Sequence, residues 1–512
     1  MKNFSKNISW GAIIKKFIFS LFVIFPIICM YYADSMRIWS CHELFMPQGR
    51  GFFLPEHGRY IATAFNNFLF EKLPVILNTH VLDLKSTWIA FFMVAISFVV
   101  ISLTAYGIVL FHKNKENKWW YWLIFYLMSF FLLFNLKMDF LKHNDGIEYF
   151  EYVASLIPHL SALIMTFYFF VTDKIPSKPV YALFLVTTFF AGITVEQLNV
   201  SYMTFITAIT FFAFLQYKKS KNDLLKQKFK MFFFGFVLTL IAFRLYFLNP
   251  SDHLPIDKYM TLYGSSGFFI AMAKKIILDY ASIYVPLIAG IIAVASCKNT
   301  PPGNLILAVT LNIFSIFVYY FFVYYYIFCH FDIQNLLVNG KYFILLYPVL
   351  LLQTFALWGY FFETKNIKDN SIKALFLLFF ILLNISYLDK FWFNLYYERN
   401  GAFPKRQKQY CYEKYIMEQV GQETIFIPAF DDDYLLYSIF ILHYPDFQNV
   451  KTVIEDKNLQ LDDLIKKEQI PQKGLKFSNL LKHKVMKYKG KYFFYFEKFK
   501  EDENYNYYRI TY

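Results

Sequence analysis

Residues 15–37 read KKFIFSLFVIFPIICMYYADSMR, and the rest of the chain is interpreted outward from this stretch. Two lysines give way to an apolar run, Phe17 to Ala33, which stops at Asp34 with Arg37 three residues on. Crossing the hydrocarbon core of a bilayer takes roughly 20 apolar residues per helix, so the run is close to a full span. Tyr31 and Tyr32 stand where a small-x-small cleavage site would be needed, so the run reads as a retained anchor rather than a removed signal. Ahead of it, residues 1–16 carry Lys2, Lys6, Lys15 and Lys16 and no acid.

The same texture recurs along the chain. Its 512 residues are 57% hydrophobic and 22% aromatic, with a mean hydropathy of +0.37, too apolar for an ordinary soluble protein. Eleven apolar segments are candidate spans: 17–33, 87–111, 119–136, 152–172, 180–195, 200–217, 231–248, 283–297, 304–328, 342–362 and 372–389. The expected fold is an all-α polytopic membrane domain of about eleven transmembrane helices over 1–389, followed by a soluble α/β domain over 390–512.

Loop charge sets the orientation. With the N-terminus inside, the short inner pieces carry 18 Lys and Arg in 59 residues, and the outer loops carry 11 in 120. This asymmetry predicts a cytoplasmic N-terminus and, with an odd number of spans, an outer tail from Lys390 to Tyr512. The net charge of +14 then reflects inner-face anchoring against anionic lipid and requires no nucleic acid. The chain has no Walker loop, no GxGxxG after a strand and no zinc-type Cys/His spacing. Five cysteines (Cys29, Cys41, Cys297, Cys329, Cys411), two of them near or within spans, do not make a disulfide framework.

Composition changes after Leu388, where charges become frequent and apolar runs shorten. Segments 424–429, 450–454 and 492–499 read as strands because β-branched and aromatic residues dominate them. Segments 407–420 and 459–468 read as amphipathic helices. Three adjacent acids, Asp431–Asp433, read as a solvated turn, since they cannot all point inward from one strand.

Candidate chemistry gathers on the outer face. The loop 34–86 holds Asp34, Arg37, His42, Glu43, Arg50, Glu56, His57 and Arg59, with Pro47 and Pro55 breaking any long helix. Asp34 has two readings, a charge that marks a helix end or a catalytic carboxylate. Glu196 is the only charged residue between Lys178 and Lys218 and sits at a hairpin turn, Gly192-Ile-Thr-Val-Glu-Gln-Leu-Asn199. An ionisable group in the membrane is a functional candidate by default, and the alternative is a turn that simply reaches water. His143, Asn144, Asp145, Glu148 and His159 lie around the third and fourth spans. Arg244 is placed near the outer end of the seventh span, to face a lipid phosphate or to snorkel. Asp252, His253 and Asp257 match no metal signature and read as an ordinary loop. His330, Asp332, Asn339 and Lys341 complete the set between the ninth and tenth spans.

Three of these stretches carry a family resemblance: Ala33-Asp34-Ser35-Met36-Arg37, Glu56-His57-Gly58-Arg59-Tyr60, and Gly192 to Asn199 with Glu196. Together they resemble the GT-C class of bacterial polytopic membrane glycosyltransferases, in particular the O-antigen glucosyltransferase-like families. Members often carry paired acids at the first position, where this chain has Asp34 alone. The resemblance implies transfer of a sugar from a polyprenyl-phosphate donor to a glycan or lipid-linked acceptor on the periplasmic face of a bacterial inner membrane. It implies Asp34 as general base with Glu43 in reserve, and Arg59 on the phosphate. Arg37, Glu56, His57, Glu196, Arg244 and Lys341 are the further substrate-binding candidates. No cofactor is named by the sequence, and a divalent cation is the one left open. A glycan polymerase and a lipid-linked sugar flippase are the competing readings.

Overall fold

The computed structural model describes residues 10–34, 67–110, 118–143, 146–172, 174–194, 196–247, 281–297, 303–328, 343–365, 385–429, 449–480 and 495–511. These are mostly helical, with a small sheet near the C-terminus. The long helices are α1 (Trp10–Asp34), α2 (Ala90–Leu110), α3 (Lys118–His143), α4 (Gly146–Val171), α5 (Lys178–Ala191) and α6 (Glu196–Ser220). They continue as α7 (Asp223–Phe247), α8 (Ala281–Ala295), α9 (Gly303–Phe328), α10 (Phe343–Thr364) and α11 (Ile385–Met417). Short helical turns, Asn67–Lys72, Leu73–Leu77, Val81–Leu84 and Lys85–Ile89, lead into α2.

Ten of the eleven apolar segments coincide with these helices; most of 372–389 lies outside the described residues. Among the described residues four helical stretches are long and apolar enough to cross a membrane: Ile13–Tyr32, Thr87–Gly107, Val153–Val171 and Leu198–Ser220. The chain is thus a helical protein with the apolar helices of a membrane protein. The expected eleven spans are not borne out: Trp122–Phe131, Lys178–Ala191, Val285–Ala295, Asn304–Ile316 and Pro348–Phe362 are shorter apolar stretches among the described residues. Helix α5 has 14 residues, which at 1.5 Å each cover about 21 Å, short of the roughly 30 Å hydrocarbon core.

Aromatic side chains fill the centre of the bundle. Tyr126, Phe130, Phe134, Phe167 and Tyr202 are almost fully buried. Phe391 of α11 meets Phe25 of α1 at 6.4 Å and Phe134 of α3 at 4.9 Å between ring centroids, which ties the last long helix to the first. Helix α1 is the least buried of the four membrane-length stretches, with 17% of its apolar window inside the protein, as suits a peripheral helix facing lipid.

Helix α11 runs unbroken from Ile385 to Met417, so the expected unit boundary at 389 falls inside it. Its outer half carries the sheet. Gly421, at φ +88°, makes the left-handed turn out of the helix that only glycine adopts without strain. Four strands follow in the order β1-β2-β4-β3: β1 (Thr424–Ala429), β2 (Thr452–Gln460), β3 (Tyr495–Glu501) and β4 (Tyr505–Thr511). β1 pairs parallel to β2, with Ile425 opposite Val453, and the other two pairings are antiparallel. β1 lies where the sequence places it. β2 extends further, through Gln460, and the following helix α12 (Leu461–Lys467) starts two residues later than expected. β4 escapes the sequence reading because its alternation of Tyr505, Tyr507 and Arg509 against Asn506 and Tyr508 is half polar. Asp431–Asp433 lies outside the described residues.

Candidate functional site

Of the residues singled out by sequence, Arg37, Glu43, Glu56, His57, Arg59 and Lys341 lie outside the described residues. Asp34, Glu196 and Arg244 lie within them, and contacts between neighbouring helices set their depths.

Helices α6 and α7 run antiparallel, and the Thr210 hydroxyl donates to the Phe232 carbonyl at 3.2 Å. From that crossing, Glu196 lies about 21 Å up α6 and Arg244 about 18 Å up α7, at 1.5 Å per residue. The two charged positions therefore share about one depth at neighbouring ends of adjacent helices. Arg244 is exposed and stands in the last turn of α7.

Helices α4 and α6 run parallel. The Tyr202 hydroxyl meets the Thr166 hydroxyl at 3.0 Å, and Phe167 stacks on Phe205 at 5.2 Å. By these pairs Glu196 is level with residues 158–160, and α4 continues beyond that level by about 18–21 Å to its start at Gly146. The turn between α5 and α6 thus lies well short of the level of the start of α4. Close packing on α7 holds it there. Gly192 sits where a Cβ would lie 2.8 Å from the Thr239 carbonyl oxygen and 2.7 Å from the Ala242 Cβ. One turn back, the Thr239 hydroxyl donates to the Thr188 carbonyl at 3.1 Å.

Asp34 occupies a different place. Helices α1 and α3 are parallel: the Tyr126 hydroxyl donates to the Val23 carbonyl at 3.0 Å, and Phe25 meets Phe130 at 6.2 Å. Asp34, the last residue of α1, is then level with about residue 138 of α3, about 8 Å short of that helix's end. That is about 10 Å further out than Glu196. Helix α1 packs on α2, α3 and α11, whereas α6 packs on α4, α7 and α9. Asp34 and Glu196 are therefore two separate positions toward the same end of the bundle, and Arg244 is the charged position at about the depth of Glu196.

A second polar cluster was not singled out by the sequence reading. Arg406, Gln409 and Glu413 follow one another at spacings of three and four, so they line one face of α11. The Glu413 carboxylate meets His80 Nε2 at 3.1 Å, with both side chains 4% exposed, and accepts a hydrogen bond from Gln409 Nε2 at 3.1 Å. Ser478 joins the cluster from the tail. The His80 backbone N–H donates to its hydroxyl at 3.1 Å. The carboxylate of Asp83 accepts from the backbone N–H groups of Phe477 and Ser478 at 3.0 and 2.7 Å, and from the Ser478 hydroxyl at 2.6 Å. It thereby satisfies the free donors at the start of the short helix Phe477–Leu480. Phe477 stacks on the His80 ring at 5.3 Å and lies under the Arg406 guanidinium at 5.2 Å. Burial lowers the pKa of Arg406 while Asp83 and Glu413 raise it, and the group stays a cation.

The signals for this cluster were present in the sequence. His80 and Asp83 stand three residues apart at the end of the outer loop, and the Arg406, Gln409, Glu413 stripe marks a helix face. Their pairing across more than 300 residues had no local trace. No family model, no curated protein and no solved structure matches the chain.

Proposed function

We propose that the protein is a glycosyltransferase of the bacterial inner membrane. It moves a sugar from a polyprenyl-phosphate donor to a cell-envelope glycan or lipid-linked acceptor on the periplasmic side. In this reading eleven spans place the N-terminus in the cytoplasm and the tail in the periplasm. The feature that supports the proposal is that an acid and an arginine stand at about one depth at neighbouring helix ends, beside α5, which at 14 residues is shorter than a span. A lipid-linked donor needs such a place, because its chain stays in hydrocarbon while its phosphate and sugar must meet polar groups.

Arg244 is suited to the phosphate. An exposed guanidinium at the outer end of a span offers charge-assisted, bidentate hydrogen bonds, and Arg59 is the second arginine assigned to that role. Glu196 accepts hydrogen bonds from sugar hydroxyls. Asp34 is the general base, taking the proton of the acceptor hydroxyl as its oxygen attacks the anomeric carbon and the polyprenyl phosphate leaves. A flippase would need a polar path across the bundle; the Phe167–Phe205 stack lies about 14 Å below Glu196 and favours the transferase.

The test is transfer of labelled sugar from defined polyprenyl-phosphate donors by the purified protein. Asp34→Asn is expected to lower the rate by about 10²–10⁴-fold with the protein still inserted and folded. Full activity in Asp34→Asn with loss in Glu196→Gln would move the base to Glu196. Activity retained in Asp34→Asn, Glu43→Gln and Glu196→Gln would reject a carboxylate base. A reporter active only in the periplasm, fused after Tyr512, should be active.

A further inference from the structure

The α6–α7 hairpin gathers cations at the end away from Glu196 and Arg244. Residues 218–230 hold six lysines, Lys218, Lys219, Lys221, Lys226, Lys228 and Lys230, against one acid, Asp223. Lys228 is buried, and its ammonium donates to the Thr172 carbonyl, which pins the start of α7 to the end of α4. The other five are exposed. Lys218, Lys226 and Lys230 make no ion pair among the described residues.

These three lysines end two exposed aromatic stripes. On α6, Phe211, Phe214 and Lys218 follow at spacings of three and four and so share one face. On α7, Lys226, Lys230 and Phe233 follow at spacings of four and three and share another. Phe211, Phe214 and Phe233 are 57%, 39% and 43% exposed. The stripes adjoin, because the Phe229 ring lies between them, 5.4 Å from Phe214 and 5.9 Å from Phe233 between centroids. Counted from the crossing of Thr210 with Phe232, Lys218 is level with Leu224 of α7. The three lysines therefore fall within about 9 Å along the helix axes, and their long stems let the ammonium groups reach one layer.

We propose that this face of the α6–α7 hairpin is a docking site for an anionic phospholipid of the surrounding leaflet. The phosphate and headgroup sit among Lys218, Lys226 and Lys230, and the acyl chains lie along Phe211, Phe214 and Phe233. The chemistry selects the occupant. Exposed rings call for a hydrocarbon chain and unpaired cations call for an anion, and a phospholipid joins the two in one molecule. A zwitterionic headgroup brings its own cation to the lysines and loses much of the attraction, so a headgroup of net negative charge is preferred. Diffuse anchoring by a basic loop depends on total charge, whereas a docking site depends on these three positions. The inference rests on the apolar helices of the chain and is independent of the sugar-transfer reading.

The experiment reads lipid bound to the full-length protein in a neutral detergent by native mass spectrometry. The probes are phosphatidylglycerol and phosphatidylcholine with the same acyl chains. Wild-type protein is expected to hold phosphatidylglycerol about ten-fold or more tighter, since each lysine near an anionic headgroup is worth on the order of five-fold. Joint Lys218→Gln, Lys226→Gln and Lys230→Gln should bring the preference down to about two-fold or less. Joint Lys218→Arg, Lys226→Arg and Lys230→Arg should keep it. Joint Lys405→Gln, Lys467→Gln and Lys476→Gln, at exposed positions of the tail, removes the same charge and should leave the preference unchanged. All six positions are exposed, so these variants are expected to fold. Equal binding of the two lipids by the wild type overturns the proposal. A preference that survives the hairpin substitutions, or falls equally with those in the tail, overturns it as well, since net charge then draws the lipid. Displacement of phosphatidylglycerol by glycerol phosphate at equal concentration also overturns it, because the site then needs no acyl chain.

Discussion

Two of the buried polar clusters among the described residues differ in how their members meet one another. At the joint between the segment around His80 and the tail, His80, Asp83, Glu413 and Ser478 hold one another through direct polar contacts, while Arg406 Nη1 and Gln409 Oε1 beside them are buried without partners. In the seam between α4 and α6, Asn199 and His159 keep three buried atoms without partners. A network whose members satisfy each other fixes one geometry, and breaking one link leaves its neighbours buried and unmet. The joint therefore acts as a structural clasp that fixes the tail, through α11 and Phe477–Leu480, against the end of the outer loop.

This contrast breaks most readily at Glu413. Glu413→Leu removes the partner of both His80 and Gln409, and is expected to cost about 3–5 kcal/mol, read in thermal unfolding or in protease cleavage of the tail. The double variant with His80→Leu should recover part of that loss, because the imidazole is then no longer stranded, although Gln409 Nε2 still is. A single substitution without effect would make the joint an incidental contact. The next largest effect is expected at Gly192. A methyl group there presses on the Thr239 carbonyl, which cannot rotate away, so Gly192→Ala should cost about 1–3 kcal/mol and alter donor use as the turn between α5 and α6 shifts.

Asn199→Leu sharpens the comparison from the other side. Replacing an unmet amide with an apolar group of similar size should leave stability unchanged or raise it by about 1 kcal/mol, opposite in sign to Glu413→Leu. A clear loss of stability would mean that Asn199 is satisfied after all. The smallest effect belongs to the exposed edge of the tail. Hydrogen bonds from Lys457, at 2.7 Å, and from Lys498 hold the Glu501 carboxyl at about 2, below its ordinary value of 4.5. Its folded value is depressed, so its contribution is present above pH 4.5 and lost as pH falls through about 2. An NMR titration of Glu501 with a midpoint near 4.5 would remove that tie.

The apolar periodicity that marks helices is a local property, so ten of eleven segments were legible as helices and the strand Thr424–Ala429 was placed to the residue. Glu196 was legible as a candidate because it is the lone charge in a long apolar stretch. Its depth was not, since depth depends on which residues of α4 and α7 stand beside it. The run from Phe17 to Asp34 likewise announced a helix ending in an acid, but only the packing of α1 on α3 showed that this acid is not level with Glu196. The joint was least legible of all, because His80 and Asp83 meet Glu413 and Ser478 only after the chain has crossed the whole bundle. Residue type and spacing by themselves determined which segments bury themselves as helices and which positions carry charge. Partnership between distant polar groups was decided by tertiary structure alone, since hydrogen bonds and ion pairs act over a few ångströms and sequence distance says nothing about them.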